Sequence, residues 1–64
     1  MESSWRPRRR FKPTREELER MMAESQFIRF ERGVPAYIEN RVKGMAWRLD
    51  HETGEYEELE RGGG

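Results

Sequence analysis

The segment LDHETGEYEEL, residues 49–59, predicts a β-hairpin and, with it, the fold class. Asp50 can accept hydrogen bonds from backbone N–H groups, and Gly54 can adopt the positive φ that closes a loop of four or five residues. Apolar Met45, Trp47 and Leu49 alternate with other residues before this turn, which is the period of a half-buried strand. We therefore expect strands near residues 45–50 and 55–60.

Regularly spaced glycines extend this pattern towards the N-terminus. Gly33 and Gly44 precede Gly54 at intervals of 11 and 10 residues. Alternating runs lie between them, which predicts two more strands, near residues 26–32 and 35–40. The second half of the chain is therefore expected to form an antiparallel meander.

A helix start precedes the strands. Thr14 can cap a helix, and Glu17 follows at the three-residue spacing of a capping box. Leu18, Met21 and Met22 then fall on one narrow apolar stripe. We expect a helix over residues 14–25.

One alternative to the meander remains open at this stage. The segment PAYIENRVKGMAWRL, residues 35–49, also places Ile38, Val42, Met45 and Leu49 on one helical stripe. Gly44 in the middle of that helix would cost about 1 kcal/mol. The strands at 26–32 and 55–60 would then pair around a single crossover helix.

Length and composition limit the kind of protein. A 64-residue chain forms one small domain that buries only about 60% of its unfolded surface. It has no cysteine, so it has neither a disulfide nor a thiolate ligand for zinc. No apolar run approaches the roughly 20 residues of a membrane helix, and we expect a cytoplasmic or nuclear protein.

These observations together predict an α+β domain over residues 14–61. One N-terminal helix is expected to pack on a three- or four-stranded antiparallel meander. A disordered basic arm, residues 1–13, would precede it, and a flexible glycine tail, residues 62–64, would follow. The expected core consists of Leu18, Met22, Ile28, Phe30, Ile38, Met45, Trp47 and Leu49.

The net charge of zero hides an asymmetric distribution. Residues 1–12 contain five cations and one acid, a net charge of +4, whereas the remaining residues contain eight cations and twelve acids, a net charge of −4. Because the body is mildly acidic, contact with a polyanion should be confined to the basic arm and one face of the sheet.

The arm sequence WRPRRRFK, residues 5–12, favours nucleic acid as the partner. Each arginine can neutralise a phosphate, and aromatic side chains can stack on unpaired bases. Two cations of the expected strands alternate with core positions and should point outward, so they could extend the contact. The predicted nucleic-acid-binding residues are Trp5, Arg6, Arg8, Arg9, Arg10, Phe11, Lys12, Arg29 and Arg48.

A protein-interaction module, such as a small inhibitor or adaptor, is the alternative function. It would dock through the sheet and the acidic residues of the C-terminal hairpin, or form a homodimer through an edge strand. The same acidic patch could instead bind this protein's own arm. The acidic residues in question are Glu55, Glu57, Glu58 and Glu60.

The sequence offers little for catalysis. His51 is the one histidine and lies in the expected turn, where neighbouring side chains diverge rather than converge on a metal. No glycine-rich phosphate loop is present. We expect a non-enzymatic protein without catalytic residues, metal or cofactor, acting as a nucleic-acid-binding or regulatory module.

Overall fold

The computed structural model describes residues 5–62, so the parts of the expected arm and glycine tail at residues 1–4 and 63–64 lie outside the described residues. These described residues form one helix and a five-stranded antiparallel sheet with strand order β1-β5-β4-β3-β2. The elements are β1 (Trp5–Phe11), α1 (Arg15–Ala23), β2 (Phe27–Glu31), β3 (Val34–Asn40), β4 (Met45–Leu49) and β5 (Tyr56–Arg61). The expected α+β class is confirmed.

The meander over the second half of the chain is also confirmed. β3 and β4 are antiparallel neighbours, with Ile38 opposite Trp47, which excludes the alternative helix over residues 35–49. Between β2 and β3, Arg32 and Gly33 have φ values of 56° and 79°. Two successive positive φ values are typical of the tight hairpin turns whose twist matches that of the strands.

The turn between β4 and β5 forms as the opening segment predicts. The Asp50 carboxylate accepts a hydrogen bond from the Glu52 N–H at 2.9 Å. The Gly54 N–H donates to the Asp50 carbonyl at 2.8 Å, and Gly54 has a φ of 80°. The side chain and the backbone of Asp50 therefore both organise this loop.

The N-terminus of α1 is a complete capping box. The Glu17 N–H donates to Thr14 Oγ1 at 3.1 Å, and the Thr14 N–H donates to Glu17 Oε1 at 2.8 Å. No residue of the helix is fully buried. The helix therefore owes much of its stability to this cap and to one half-buried stripe.

The structure corrects the prediction of a disordered arm. Residues 5–11 of that segment form strand β1, with Phe11 opposite Tyr56 and Trp5 opposite Arg61, so the sheet has five strands instead of three or four. Pro7 is tolerated because β1 is an edge strand, and the register shifts between Pro7 and Arg9. The arginines do not keep this segment apart from the domain because β5 brings glutamates opposite them.

The two faces of the sheet are unequal. Paired residues on adjacent strands point to the same side, so the register places Ile38, Trp47 and Glu58 on one face. Met21 of α1 lines a groove together with Trp47, so α1 covers this side, the helix face. The opposite side of the sheet is the open face.

The exposure of the side chains differs in part from that expected for the predicted core. Ile38 is completely buried, as expected, but Phe30 is 59% exposed because β2 is an edge strand. The other expected core residues are half-buried. Sequence analysis missed the buried apolar residues Ala36, Ala46, Tyr56 and Leu59.

Tyr56 shows how β1, the strand that sequence analysis did not predict, contributes to the core. Its hydroxyl donates to the Pro35 carbonyl at 2.6 Å, and burial raises the pKa of this phenol above its ordinary value. Phe11 of β1 lies directly opposite it. Phe11 of β1 thus helps to bury Tyr56, the first residue of β5.

Candidate nucleic-acid interface

Strand alternation divides the predicted basic patch between the two faces of the sheet. Arg9 and Phe11 are opposite Glu58 and Tyr56 on the helix face, whereas Arg10 is opposite Glu57 on the open face. The predicted residues therefore do not form one surface, because β1 is a strand and not a flexible arm.

The helix-face arginines bind a buried carboxylate. Arg9 donates to Glu58 Oε1 through Nε at 3.3 Å and Nη2 at 3.2 Å. Trp47 Nε1 donates to the same oxygen at 3.1 Å, and Arg8 Nη1 lies 3.7 Å from the other oxygen. The Glu58 side chain is only 8% exposed, so these donors are needed to compensate its loss of water.

Arg9 also contacts the ring of a neighbouring aromatic residue. Its guanidinium carbon lies 4.4 Å from the centroid of Phe11, within the range of a cation–π contact. A phosphate that recruited Arg9 would therefore have to displace both Glu58 and Phe11.

Arg10 joins β1 to the turn between β4 and β5. It forms ion pairs with Asp50 and with Glu55, the latter at 3.3 Å. The hydrogen bond from Arg10 is the main cause that lowers the pKa of Asp50, and the Glu52 N–H adds to it. Hydrogen bonds to Asp50 and Glu55 raise the pKa of Arg10 in turn.

Ion pairs within the chain also occupy the acidic residues of the C-terminal hairpin. Glu57 pairs with Arg48 at 2.8 Å, and Glu60 with Arg8 at 3.7 Å. Together with the contacts of Glu55 and Glu58, these pairs engage all four predicted docking acids. The patch holds the chain's own basic strand, one of the alternatives that the charge distribution left open.

The open face carries a row of polar and aromatic side chains across all five strands. The register aligns one residue from each strand, in the order Arg29, Tyr37, Arg48, Glu57 and Arg10. The side chains of Arg29 and Arg48 are 65% and 63% exposed. Both predicted body cations thus point outward on the same face.

An aromatic pair lies beside this row. The rings of Phe27 and Tyr37 meet edge to face, with centroids 6.0 Å apart, and Phe27 is 42% exposed. The Arg41 guanidinium carbon lies 6.0 Å from the Phe27 centroid. Phe27 and Tyr37 therefore share one side of the sheet with four arginines, Arg10, Arg29, Arg41 and Arg48.

A polar depression of about 310 Å³ lies at one end of the row. Arg10 and Arg48 line it together with His51, whose Nε2 is 3.0 Å from Glu31 Oε1. Asp50 and Glu57 line it as well, so an anion that entered would have to exchange with carboxylates that already accept from the arginines.

A second groove, of about 300 Å³, separates α1 from the helix face. Its apolar lining is Phe11, Met21, Met45 and Trp47. Its three acids are engaged within the chain: Glu17 in the helix cap, Glu24 with Lys43 at 3.3 Å, and Glu58 as described above.

The predicted nucleic-acid-binding residues do not include Phe27, Tyr37 and Arg41, which lie on the open face. A signal for Tyr37 existed, because it precedes Ile38, which was expected in the core, and so should point to the opposite face of its strand. Phe27 joins it only through the register of β2 on β3, in which Phe27 is opposite Glu39. The spacing of residues in the sequence does not supply that register.

Comparisons of the chain with protein-family models, with curated proteins and with solved structures gave no match. Within residues 5–62, no helix is long and apolar enough to cross a membrane. The same part of the chain contains no group of three or more histidine, aspartate or glutamate side chains arranged to hold a metal ion.

Proposed function

We propose that this protein is a non-enzymatic module that binds single-stranded nucleic acid on its open face. The observation that supports this most is the placement of Phe27 and Tyr37 beside Arg29, Arg41 and Arg48, on the side opposite α1. Aromatic rings stack on unpaired bases, and arginines next to them bind the phosphates between those bases.

A single strand fits this surface better than a duplex. Stacking requires bases that are free of a complementary strand. An extended basic arm could follow a duplex groove, but the described part of that segment is committed to β5 as strand β1. We therefore place the proposed binding site on the open face and not on the arm.

The expected affinity is moderate because the arginines of the face already have acidic partners. Arg48 pairs with Glu57, Arg29 with Glu31, and Arg41 with Glu39. A phosphate replaces a carboxylate at each of them. With about 0.7 counterion released per phosphate of a single strand, three contacts predict a slope of log K against log salt near −2.

Fluorescence anisotropy with a labelled single-stranded oligonucleotide at several salt concentrations tests the proposal. Arg48→Gln should weaken binding and reduce the slope by about 0.7. Phe27→Leu, which keeps an apolar side chain but removes the ring, should weaken binding by about five- to a hundredfold, the range of one lost stacking contact.

Arg15→Gln is the matched control. It removes the same charge from α1, where the Arg15 side chain is 94% exposed, away from the open face. Equal weakening by Arg15→Gln and Arg48→Gln would show only a response to net charge and would overturn the site. Absence of binding at low salt would overturn the function.

A protein-interaction module is the second candidate. Phe30, Phe27 and Val34 are 59%, 42% and 40% exposed along β2 and at the start of β3, and exposed apolar side chains on both faces of a sheet edge suit an inhibitor or adaptor that pairs with that edge. Binding of this kind would respond to Phe30→Ser and would depend little on salt. Both candidate functions belong with a cytoplasmic or nuclear location, which forms part of this proposal.

A further inference from the structure

The two edges of the sheet differ in how well they resist pairing with another strand. β1 contains Pro7, which has no N–H to donate, and a series of arginines. These are the features by which natural sheets protect their edges. β2 has no proline and exposes Phe30, so it is the unprotected edge.

We propose that β2 pairs antiparallel with β2 of a second copy of this chain, forming a two-fold symmetric dimer with one continuous ten-stranded sheet. A second copy is proposed as the partner because β2 is complementary to another β2 that runs antiparallel to it. In such a dimer the symmetry axis is normal to the sheet, so one residue must lie opposite its own copy.

The cross-strand pairs that each choice creates select the residue at the axis. With Phe30 at the axis, its ring faces the Phe30 ring of the second copy, and Arg29 of each copy faces Glu31 of the other. Aromatic and opposite-charge cross-strand pairs are both stabilising. With Arg29 at the axis, two arginines would oppose each other, which is destabilising. With Ile28 at the axis, Phe30 would face the polar Gln26.

Glu31 is accessible for this contact. Its side chain is 47% exposed, with one oxygen 3.0 Å from His51 Nε2 and the other 3.7 Å from Arg29 Nε of the same chain. The second oxygen can therefore accept from the Arg29 of a second copy without loss of the histidine contact.

The assembly would stop at two copies. Each copy uses its one unprotected edge at the two-fold axis, and β1 remains as the outer edge on both sides. A closed isologous pair is the commonest form of oligomer. Because the axis is normal to the sheet, the two open faces would lie on the same side, with the row at Phe27 and Arg29 repeated across the axis.

Sedimentation equilibrium over a wide concentration range tests the dimer. The wild-type chain should associate reversibly to two copies and no further. Arg29→Glu should raise the dimer dissociation constant roughly tenfold or more, because glutamates would then face each other twice. Glu31→Arg should do the same, and Arg29→Glu combined with Glu31→Arg should restore association.

Two further variants keep the result interpretable. Arg15→Glu makes the same charge reversal on α1 and should leave association unchanged. Phe30→Lys should abolish it while the circular dichroism spectrum shows a folded chain. A wild-type protein that stays monomeric at millimolar concentration, or a dimer that survives Phe30→Lys, would overturn the proposal. Failure of the double variant to restore association would overturn the register.

Discussion

At the scale of single residues, the contact between Arg10 and Asp50 ties the first strand to the last turn. The hydrogen bond from Arg10 lowers the pKa of Asp50 below its ordinary value of 3.8, and the Glu52 N–H lowers it further. A carboxyl whose pKa is depressed by folding stabilises the native state above its unfolded pKa. That contribution is lost as the pH falls through the folded value.

Arg10→Gln should therefore raise the pKa of Asp50 towards 3.8, because the main donor to its carboxylate is gone. NMR titration of the Asp50 carboxyl carbon between pH 2 and pH 6 measures this directly. Arg15→Gln, at a residue that pairs with Glu19 of α1 and not with Asp50, should leave the titration where it is. An Asp50 pKa that does not respond to Arg10→Gln would show that the backbone donors of the loop alone cause the shift.

At the scale of elements, β1 decides whether the sheet is complete. It pairs with β5 over most of its length, and Arg9 compensates the buried Glu58. Without β1 that carboxylate would lose the arginine that pairs with it, and the backbone groups of β5 would lose their hydrogen-bond partners. Removal of a segment that looks like a mobile tail should therefore destabilise the whole domain.

A chain of residues 13–64 should lose its cooperative thermal transition or show it at a much lower midpoint. Far-UV circular dichroism during heating measures this, and addition of a peptide of residues 1–12 should partly restore the transition. A shortened chain with the transition midpoint of the full chain would contradict the role given to β1.

The helix and four of the five strands were predictable because their signals are local. The capping residues of α1 and the glycine turns at Gly33, Gly44 and Gly54 lie within a few residues of the elements that they delimit. β1 was not predictable in the same way. Its acidic partners lie about fifty positions along the chain, and proline and arginine together suggest a mobile segment.

The candidate interface was predictable only in part, for the same physical reason. Alternation along a single strand correctly placed Arg29 and Arg48 outside the core. Their position on one face, next to Phe27 and Tyr37, depends on the register of three strand pairs. Likewise, Phe30 looks like a core residue within its own strand and is exposed because that strand is at the edge of the sheet.

At the scale of the whole molecule, opposite charges are distributed in close pairs over a body of 33 × 24 × 18 Å. Most pairs lie on the surface, where each contributes little, and added salt screens them. The free energy of unfolding should therefore fall by on the order of 1 kcal/mol as sodium chloride is raised to 0.5 M.

Urea denaturation at low and at high salt measures this change. Potassium chloride at the same ionic strengths is the control, because screening depends on ionic strength and not on which of these two cations is present. A free energy of unfolding that rises with salt would instead indicate that like-charge repulsion dominates the molecule.

The pairing of β1 with β5 also determines how the molecule responds to force. Trp5 and Arg61 lie opposite each other at the same end of this strand pair. A pull applied at these two residues would load the hydrogen bonds between the strands one after another, as in a zipper, and not all together in shear. The domain should therefore open under weak tension, starting with the separation of β1, although the remaining strands are joined by short loops.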